Sequence, residues 1–244
     1  KPSATNPAAL LPPTIFFPVG VYRVTNTIKI TREHNLEWMF GAGHSFQENP
    51  ARIAWDGARG GVLFNVAGCH PSLKISDLHL DGGDKARILM KINSVPGVGA
   101  AGFYFERLQF AKATVGLELG RDMDSCASDM TFVDVFFHHL TDCGFRTCAG
   151  QNVDYVFIRC AVGWTPIGWH FLKGGNAHFI LPTFNRCRVG LKIESGGING
   201  GVFTITGAQQ EIFNYDNEKK RFPMLDVQGE TNVSISGIFT GCSN

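Results

Sequence analysis

The sequence predicts an all-β fold, a right-handed parallel β-helix (solenoid) of about eight to nine coils. Three observations support this: short glycine-led strands recur along the chain, a second apolar stretch follows each of them, and no amphipathic helical stripe is present. The 29 glycines and 20 phenylalanines fit many short strands joined by turns. An ordinary β-sandwich is the alternative architecture.

The repeat is clearest in four glycine-led strands, at residues 115–119, 143–147, 167–171 and 189–193. Their glycines, at positions 116, 144, 168 and 190, are separated by 28, 24 and 22 residues. These steps suit one coil of a solenoid whose loops vary in length. The segments 61–66 and 223–227 match the same pattern more loosely. Stacked coils would share one continuous apolar core.

Composition narrows the possible partners and surroundings. The 22 Lys and Arg against 21 Asp and Glu give a formal net charge of +1, so no overall field favours nucleic acid. No run reaches the roughly 18 apolar residues of a membrane span.

Seven cysteines are an odd number, so at least one thiol is free or intermolecular. The hydrophobic content of 44% supplies a large core.

Two regions follow from the change in composition along the chain. Residues 1–14 are rich in proline and small residues and are expected to form an extended arm. Residues 15–244 carry the apolar alternations and are expected to form the β-helix domain. The expected organisation is therefore one solenoid preceded by an arm.

A family resemblance adds to this interpretation. The phrase Pro18-Val-Gly20-Val-Tyr22 precedes an apolar strand, and the turn Gly41-Ala-Gly43 follows it. This opening resembles the pectate-lyase-like superfamily of right-handed β-helix proteins. The resemblance implies the fold and a carbohydrate-active role, because the superfamily includes polysaccharide lyases, glycoside hydrolases, epimerases and virion tailspikes. The paired aspartates of polygalacturonases and the Asp-Pro-His-Asp phrase of alginate epimerases are absent, so no catalytic residue is assigned by motif.

Side chains alternate along a strand, so the polar residues between the apolar ones of the glycine-led strands should point outward. Stacked at about 4.8 Å per coil, they would form a polar ladder that suits a long polymer. The ladder positions are Asn65, Lys91, Glu118, Arg146, His170, Lys192 with Glu194, and Asp226. An alternative explanation is that exposed positions of any solenoid are polar. The basic residues in the middle favour an anionic saccharide.

Eliminative cleavage of a uronate polymer needs a base and a cation that neutralises the carboxylate. His170 is the candidate base and Arg146 or Lys192 the candidate cation. Hydrolysis needs two carboxyl groups, and Glu118 would require a loop acid such as Asp122 or Asp124 as its partner.

The remaining ladder positions, Asn65, Lys91, Glu194 and Asp226, are candidate substrate-binding residues. Trp164 is a candidate platform for sugar stacking. The adjacent residues His138 and His139 are expected to face opposite ways and not to share a metal.

The resulting hypothesis is a secreted, extracellular or virion-associated enzyme that cleaves a polysaccharide. The first candidate is a lyase acting on a uronate-containing polymer, and the second is a glycoside hydrolase. The alternative is a non-catalytic glycan-binding or structural β-helix, such as a tailspike-like adhesin; a fragment of a larger enzyme is a third. No cofactor is required, although Ca²⁺ is possible near the acidic stretch 122–129. A monomer and a homotrimer both remain open.

Overall fold

The computed structural model describes residues 13–43, 50–68, 73–96, 98–120, 126–194, 201–211, 223–229 and 231–241. In this part of the chain the regular structure is β-strand, apart from one 3-10 turn at Arg32–His34. All the paired strands run parallel, in three walls that repeat in the same order along the chain. No helix in these ranges is long and apolar enough to cross a membrane.

Wall 1 stacks nine strands. They are β1 (Thr14–Phe17), β4 (Trp38–Gly41), β7 (Lys74–Ser76), β11 (Tyr104–Glu106), β15 (Met130–Val133), β18 (Val153–Ile158), β20 (Gly175–Ile180) and the first parts of β22 (Gly201–Glu211) and β24 (Thr231–Gly241).

Wall 2 also stacks nine strands. They are β2 (Gly20–Val24), β5 (Ala51–Trp55), β8 (His79–Asp81), β12 (Gln109–Ala111), β16 (Phe136–His138), the first parts of β19 (Ala161–Phe171) and β21 (Thr183–Ile193), and the last parts of β22 and β24.

Wall 3 stacks eight strands. They are β3 (Ile28–Thr31), β6 (Val62–Ala67), β9 (Ile88–Asn93), β13 (Val115–Leu119), β17 (Cys143–Thr147), the last parts of β19 and β21, and β23 (Leu225–Val227). A separate short pair joins β10 (Ala100–Ala101) to β14 (Ala127–Ser128). The walls together make eight coils and two strands of a ninth, which confirms the predicted parallel β-helix and its size.

The core is built from inward side chains that stack on their equivalents one coil away. In wall 1, Phe105, Phe132, Phe157 and Phe179 form a column with centroid separations of 4.8, 4.6 and 4.8 Å and interplanar angles of 11° or less. These separations match the spacing of hydrogen-bonded strands, so strand pairing and ring stacking reinforce each other. The high phenylalanine content of the sequence is thus explained by core columns.

The glycine column lies where each coil turns into wall 3. A Cβ on Gly116, Gly144 or Gly168 would lie 2.5, 2.7 or 2.4 Å from the carbonyl oxygen of the glycine one coil further on. Contacts this short are not tolerated, so the coils can stack this closely only without a side chain here. The recurring glycine that predicted the repeat is therefore a packing requirement.

The corner between walls 1 and 2 is held by charged residues with positive φ. Arg107 binds Asp77 through two hydrogen bonds of 2.6 and 2.8 Å, and Arg159 binds Asp134 through two of 2.8 and 2.7 Å. All four residues have φ between 48° and 57°. Each arginine lies one coil after its aspartate, so each bidentate pair ties two coils together.

The expected division at residue 14 cannot be compared with the structure, because residues 1–12 lie outside the described part; β1 begins at Thr14. The five cysteines within that part, which include Cys143 and Cys160, are free thiols.

Candidate functional site

The predicted ladder is present as one row on the outer face of wall 3. Strand pairing aligns each position with the next through the whole stack, and adds one residue that the sequence analysis did not include, Lys29. The row is Lys29, Asn65, Lys91, Glu118, Arg146, His170, Lys192 and Asp226. Seven steps of about 4.8 Å give a ladder of roughly 34 Å. Glu194 lies two residues after Lys192 on the same face.

The middle of the ladder is recessed. Glu118 is 1% exposed and His170 is 6% exposed. The outward rows of the other walls are interrupted by apolar side chains, as by Phe136 in wall 2 and Val156 in wall 1. Charged groups are rarely buried without a partner or a function. The unbroken polar row and its buried centre therefore distinguish wall 3 from an ordinary solvated face.

His170 belongs to a hydrogen-bonded group on the last coils. Its Nε2 lies 3.0 Å from Glu194 Oε1, and Lys192 Nζ donates to the same oxygen. Burial lowers the pKa of His170 despite the nearby Glu194 carboxylate, so the ring is neutral at neutral pH. The hydrogen bond from Lys192 lowers the pKa of Glu194. A neutral ring that donates from Nε2 has its lone pair on Nδ1. That atom is buried and has no hydrogen-bond partner among the described residues.

Arg146, one coil before His170, is held by two carboxylates. One terminal nitrogen of its guanidinium donates to Asp142, and the other lies 3.8 Å from Glu118 Oε2. Its Nε is buried and makes no hydrogen bond to the described residues. Adjacent rungs thus hold a buried, unused donor on Arg146 and a buried, unused acceptor on His170.

The expected basic stripe is balanced in the structure. Around the centre of the ladder, the two permanent cations Arg146 and Lys192 face the three carboxylates of Glu118, Asp142 and Glu194. Acidic residues outside the row turn towards it, so they offset the positive charge that the row by itself suggests. Net positive charge is therefore not what distinguishes wall 3.

Trp164 does not lie on wall 3. It occupies the corner at the end of the wall 2 part of β19, where its ring stacks on His139 at 5.1 Å and 8°. The guanidinium carbon of Arg186 lies 5.6 Å from the same ring. These neighbours come from the preceding and following coils and cover the two faces of the ring. The wall 3 ladder and Trp164 are thus separate, and the ring faces needed for sugar stacking are occupied by protein groups. Asp122 and Asp124 lie outside the described residues.

His138 and His139 form a group on wall 2 with His79, a residue that was not a candidate from the sequence. His138 Nδ1 lies 2.8 Å from His139 Nδ1, its Nε2 lies 3.4 Å from Gln109 Oε1, and its ring centroid is 6.3 Å from that of His79. Burial lowers the pKa of both His79 and His138 to about 4. The expectation that adjacent histidines face opposite ways was wrong, because His139 has a φ of 51° and the strand has already turned. Within the described ranges, no group of three or more His, Cys, Asp or Glu could hold a metal.

The strand pairing and the outward ladder define a parallel β-helix protein. No protein-family model matches the chain, and no curated protein matches its sequence.

Three solved structures are similar in outline. One is a mannuronan C-5 epimerase A-module of Azotobacter vinelandii, with 12% identity, a TM-score of 0.46, and coverage of 95% of this chain and 89% of that one. A protein of Geobacillus virus E2 has 14% identity, a TM-score of 0.48, and coverage of 97% and 55%. A tailspike protein of the Acinetobacter baumannii bacteriophage Fri1, a capsular polysaccharide depolymerase, has 11% identity, a TM-score of 0.43, and coverage of 95% and 57%.

Proposed function

We propose that this protein is a polysaccharide lyase that binds a uronate-containing polymer along wall 3 and cleaves it by β-elimination. One observation carries the proposal: on adjacent rungs of the ladder, a neutral histidine with an unused lone pair lies beside an arginine with an unused donor. A base and a cation next to each other are the two groups that elimination requires.

In the proposed reaction, Arg146 binds the carboxylate of the uronate and stabilises the negative charge that develops on it. His170 Nδ1, which is buried before binding, becomes exposed as the polymer binds and removes the proton from the carbon next to that carboxylate. The electrons of the broken C–H bond form a carbon–carbon double bond, and the glycosidic C–O bond breaks. The proton then passes from His170, or from water, to the leaving oxygen. The products are a new chain end and an unsaturated uronate.

The neighbouring groups have positioning roles in this scheme. Glu194 fixes the tautomer and orientation of His170 through Nε2, and Lys192 fixes Glu194. The remaining rungs, Asn65, Lys91 and Asp226, extend the surface along the polymer.

A second candidate reaction, hydrolysis, rests on a different observation. Glu118 and Asp142 both contact the guanidinium of Arg146, which keeps the two carboxyl groups within the roughly 9.5 Å allowed for an inverting glycosidase. In that scheme Asp142, which is more exposed, would activate water, and Glu118 would protonate the leaving oxygen. The two reactions differ in their products, so one assay separates them.

The test uses a panel of uronate polymers, including polygalacturonate and alginate, with absorbance of the unsaturated product in the ultraviolet as the readout. We expect the native protein to release this product and His170→Ala to lower the rate by about 10²- to 10⁴-fold. His178→Ala, a histidine exposed on wall 1, is the matched control and should keep full activity.

New reducing ends without ultraviolet absorbance, together with loss of activity in Glu118→Gln, would show that the protein cleaves the polymer by hydrolysis and not by elimination. Binding without any cleavage would leave a glycan-binding or structural β-helix. A chelator arm and a Ca²⁺ arm of the same assay test the expectation that no cofactor is required.

A polymer substrate of this kind lies outside cells, so we place the protein in the extracellular space or on a virion. Ile180, Leu181 and Val202 leave apolar surface exposed beside wall 1, as an assembly of copies would use. Light scattering of the purified protein decides between the monomer and the homotrimer.

A further inference from the structure

A cavity of about 390 Å³ lies at the corner between walls 2 and 3, beside the N-terminal half of the ladder. Its polar lining comes from successive coils: Arg59, Asp84, Lys85, Arg87, Thr114 and Thr141. This volume is within the range of small-molecule sites and is too large for one water molecule. None of these residues was a candidate in the ladder.

The lining is cationic. Three of its side chains, Arg59, Lys85 and Arg87, carry positive charge, and one, Asp84, carries negative charge. Lys85 is shared with a carboxylate outside the cavity, since its Nζ lies 3.1 Å from Asp56 Oδ1. Arg59 donates to the backbone oxygen of Asp84 at 3.4 Å. The positive charge that the sequence led us to expect on wall 3 is thus found at its edge.

Several donors in the cavity are not used by the protein. The guanidinium of Arg87 and the hydroxyls of Thr114 and Thr141 make no side-chain hydrogen bond or ion pair within the described residues. A guanidinium fork and two hydroxyls on one lining are donors of the kind that bind an oxyanion, because each oxygen of a carboxylate or sulfate accepts more than one hydrogen bond.

The cavity is also placed next to the proposed substrate path. Of the lining residues, Arg87 and Thr114 each precede by four residues a rung of the ladder, namely Lys91 and Glu118. Four residues of extended strand span about 13 Å. A group that branches sideways from a polymer on wall 3 would therefore reach the cavity.

We infer that this cavity is a subsite for an oxyanion substituent, a carboxylate or a sulfate, carried by a side group of the polysaccharide on wall 3. The inference rests on the proposed function for the position of the polymer. Arg87 supplies the bidentate contact, Lys85 and Arg59 supply the surrounding positive field, and the two threonines supply neutral donors. The site selects acidic glycans over neutral ones of the same length.

The test measures binding of three probes by isothermal titration: polygalacturonate, dextran sulfate and neutral dextran. The test variant carries Lys85→Gln and Arg87→Gln, and Lys173→Gln, an exposed cation elsewhere, is the matched control. We expect the double variant to bind at least one of the two acidic probes roughly tenfold more weakly, because charge-assisted hydrogen bonds are lost. The control should bind as the native protein does, and high salt should reduce the difference between native protein and variant.

The inference is overturned if the native protein does not prefer either acidic probe over neutral dextran, or if the double variant binds both acidic probes as tightly as the control. The acidic probe that loses affinity identifies the substituent as carboxylate or sulfate. Unfolding midpoints of the variants, which should equal that of the native protein, exclude a folding defect as the cause.

Failure of the subsite and failure of the proposed function give different results. If His170→Ala abolishes cleavage while the double variant keeps normal affinity, the lyase stands and the subsite is wrong. If no uronate polymer is cleaved but the double variant loses affinity for an acidic probe, the subsite stands and the lyase is wrong.

Discussion

The two buried histidines of wall 2 should make the protein less stable as the pH falls below neutrality. The pKa of His79 and of His138 is about 4 in the folded protein, against about 6.5 in an unfolded chain. Above about pH 6.5 both forms are neutral and the pair has no effect on stability. Between about pH 6.5 and pH 4 the unfolded chain binds protons that the folded protein does not bind, so the free energy of unfolding falls as the pH falls.

The size of this effect follows from the displacement of the pKa. Each pH unit costs about 1.4 kcal/mol per histidine, so lowering the pH from about 6.5 to about 5 removes about 2 kcal/mol for each ring and about 4 kcal/mol for both. The double variant His79→Gln with His138→Gln keeps polar side chains at both positions but cannot titrate. From about pH 6.5 to about pH 5, the free energy of unfolding of the double variant should therefore fall by about 4 kcal/mol less than that of the native protein.

Urea unfolding of the native protein and of the double variant at the two pH values measures this difference. The control is His178→Gln, which removes an exposed histidine that contacts Thr204 at 2.6 Å. It should leave the pH dependence unchanged. Equal losses of stability in the native protein and the double variant would show that burial does not hold these rings neutral.

Two further predictions concern the ladder and the coil stacking. The substitution Glu194→Gln removes the carboxylate that raises the pKa of His170, so the pKa of His170 should fall further. The acidic limb of the pH–rate profile should then move to lower pH, and kcat should fall. If the acidic limb of the profile does not move, the protonation of His170 does not control the rate. Gly116→Ala would place a Cβ 2.5 Å from the carbonyl oxygen of Gly144 and should cost about 1 to 3 kcal/mol in urea unfolding. Gly99→Ala, where the nearest atom is 3.6 Å away, is the control, and equal stability of the two variants would contradict the packing argument.

Much of the ladder could be predicted because its register is a local property. Each of the strands 115–119, 143–147, 167–171 and 189–193 carries its own glycine and its own alternation, so aligning the glycines also aligns the outward residues. The same logic would have revealed Lys29, which precedes Ile30 as Asn65 precedes Val66. The corner residues Asp77, Arg107, Asp134 and Arg159 also recur once per coil, a signal that was present in the sequence but was not used.

Contacts between non-equivalent positions could not be predicted in this way. Asp142 and Glu194 lie outside the aligned row, yet they turn towards Arg146, His170 and Lys192 and cancel the expected positive charge. Trp164 lies between residues of the coils on either side, and nothing in its local sequence shows that its faces are covered.

The sequence by itself determined the fold class, the coil length and the order of residues along the outer face of wall 3, because all three follow from a repeat of apolar residues and glycines. Only the tertiary structure decided which of those residues are buried, which ion pairs they form and where positive charge remains. The physical reason is that burial and electrostatics depend on side chains that approach from neighbouring coils and corners. Those distances are set by the stacking of the whole solenoid rather than by any one strand.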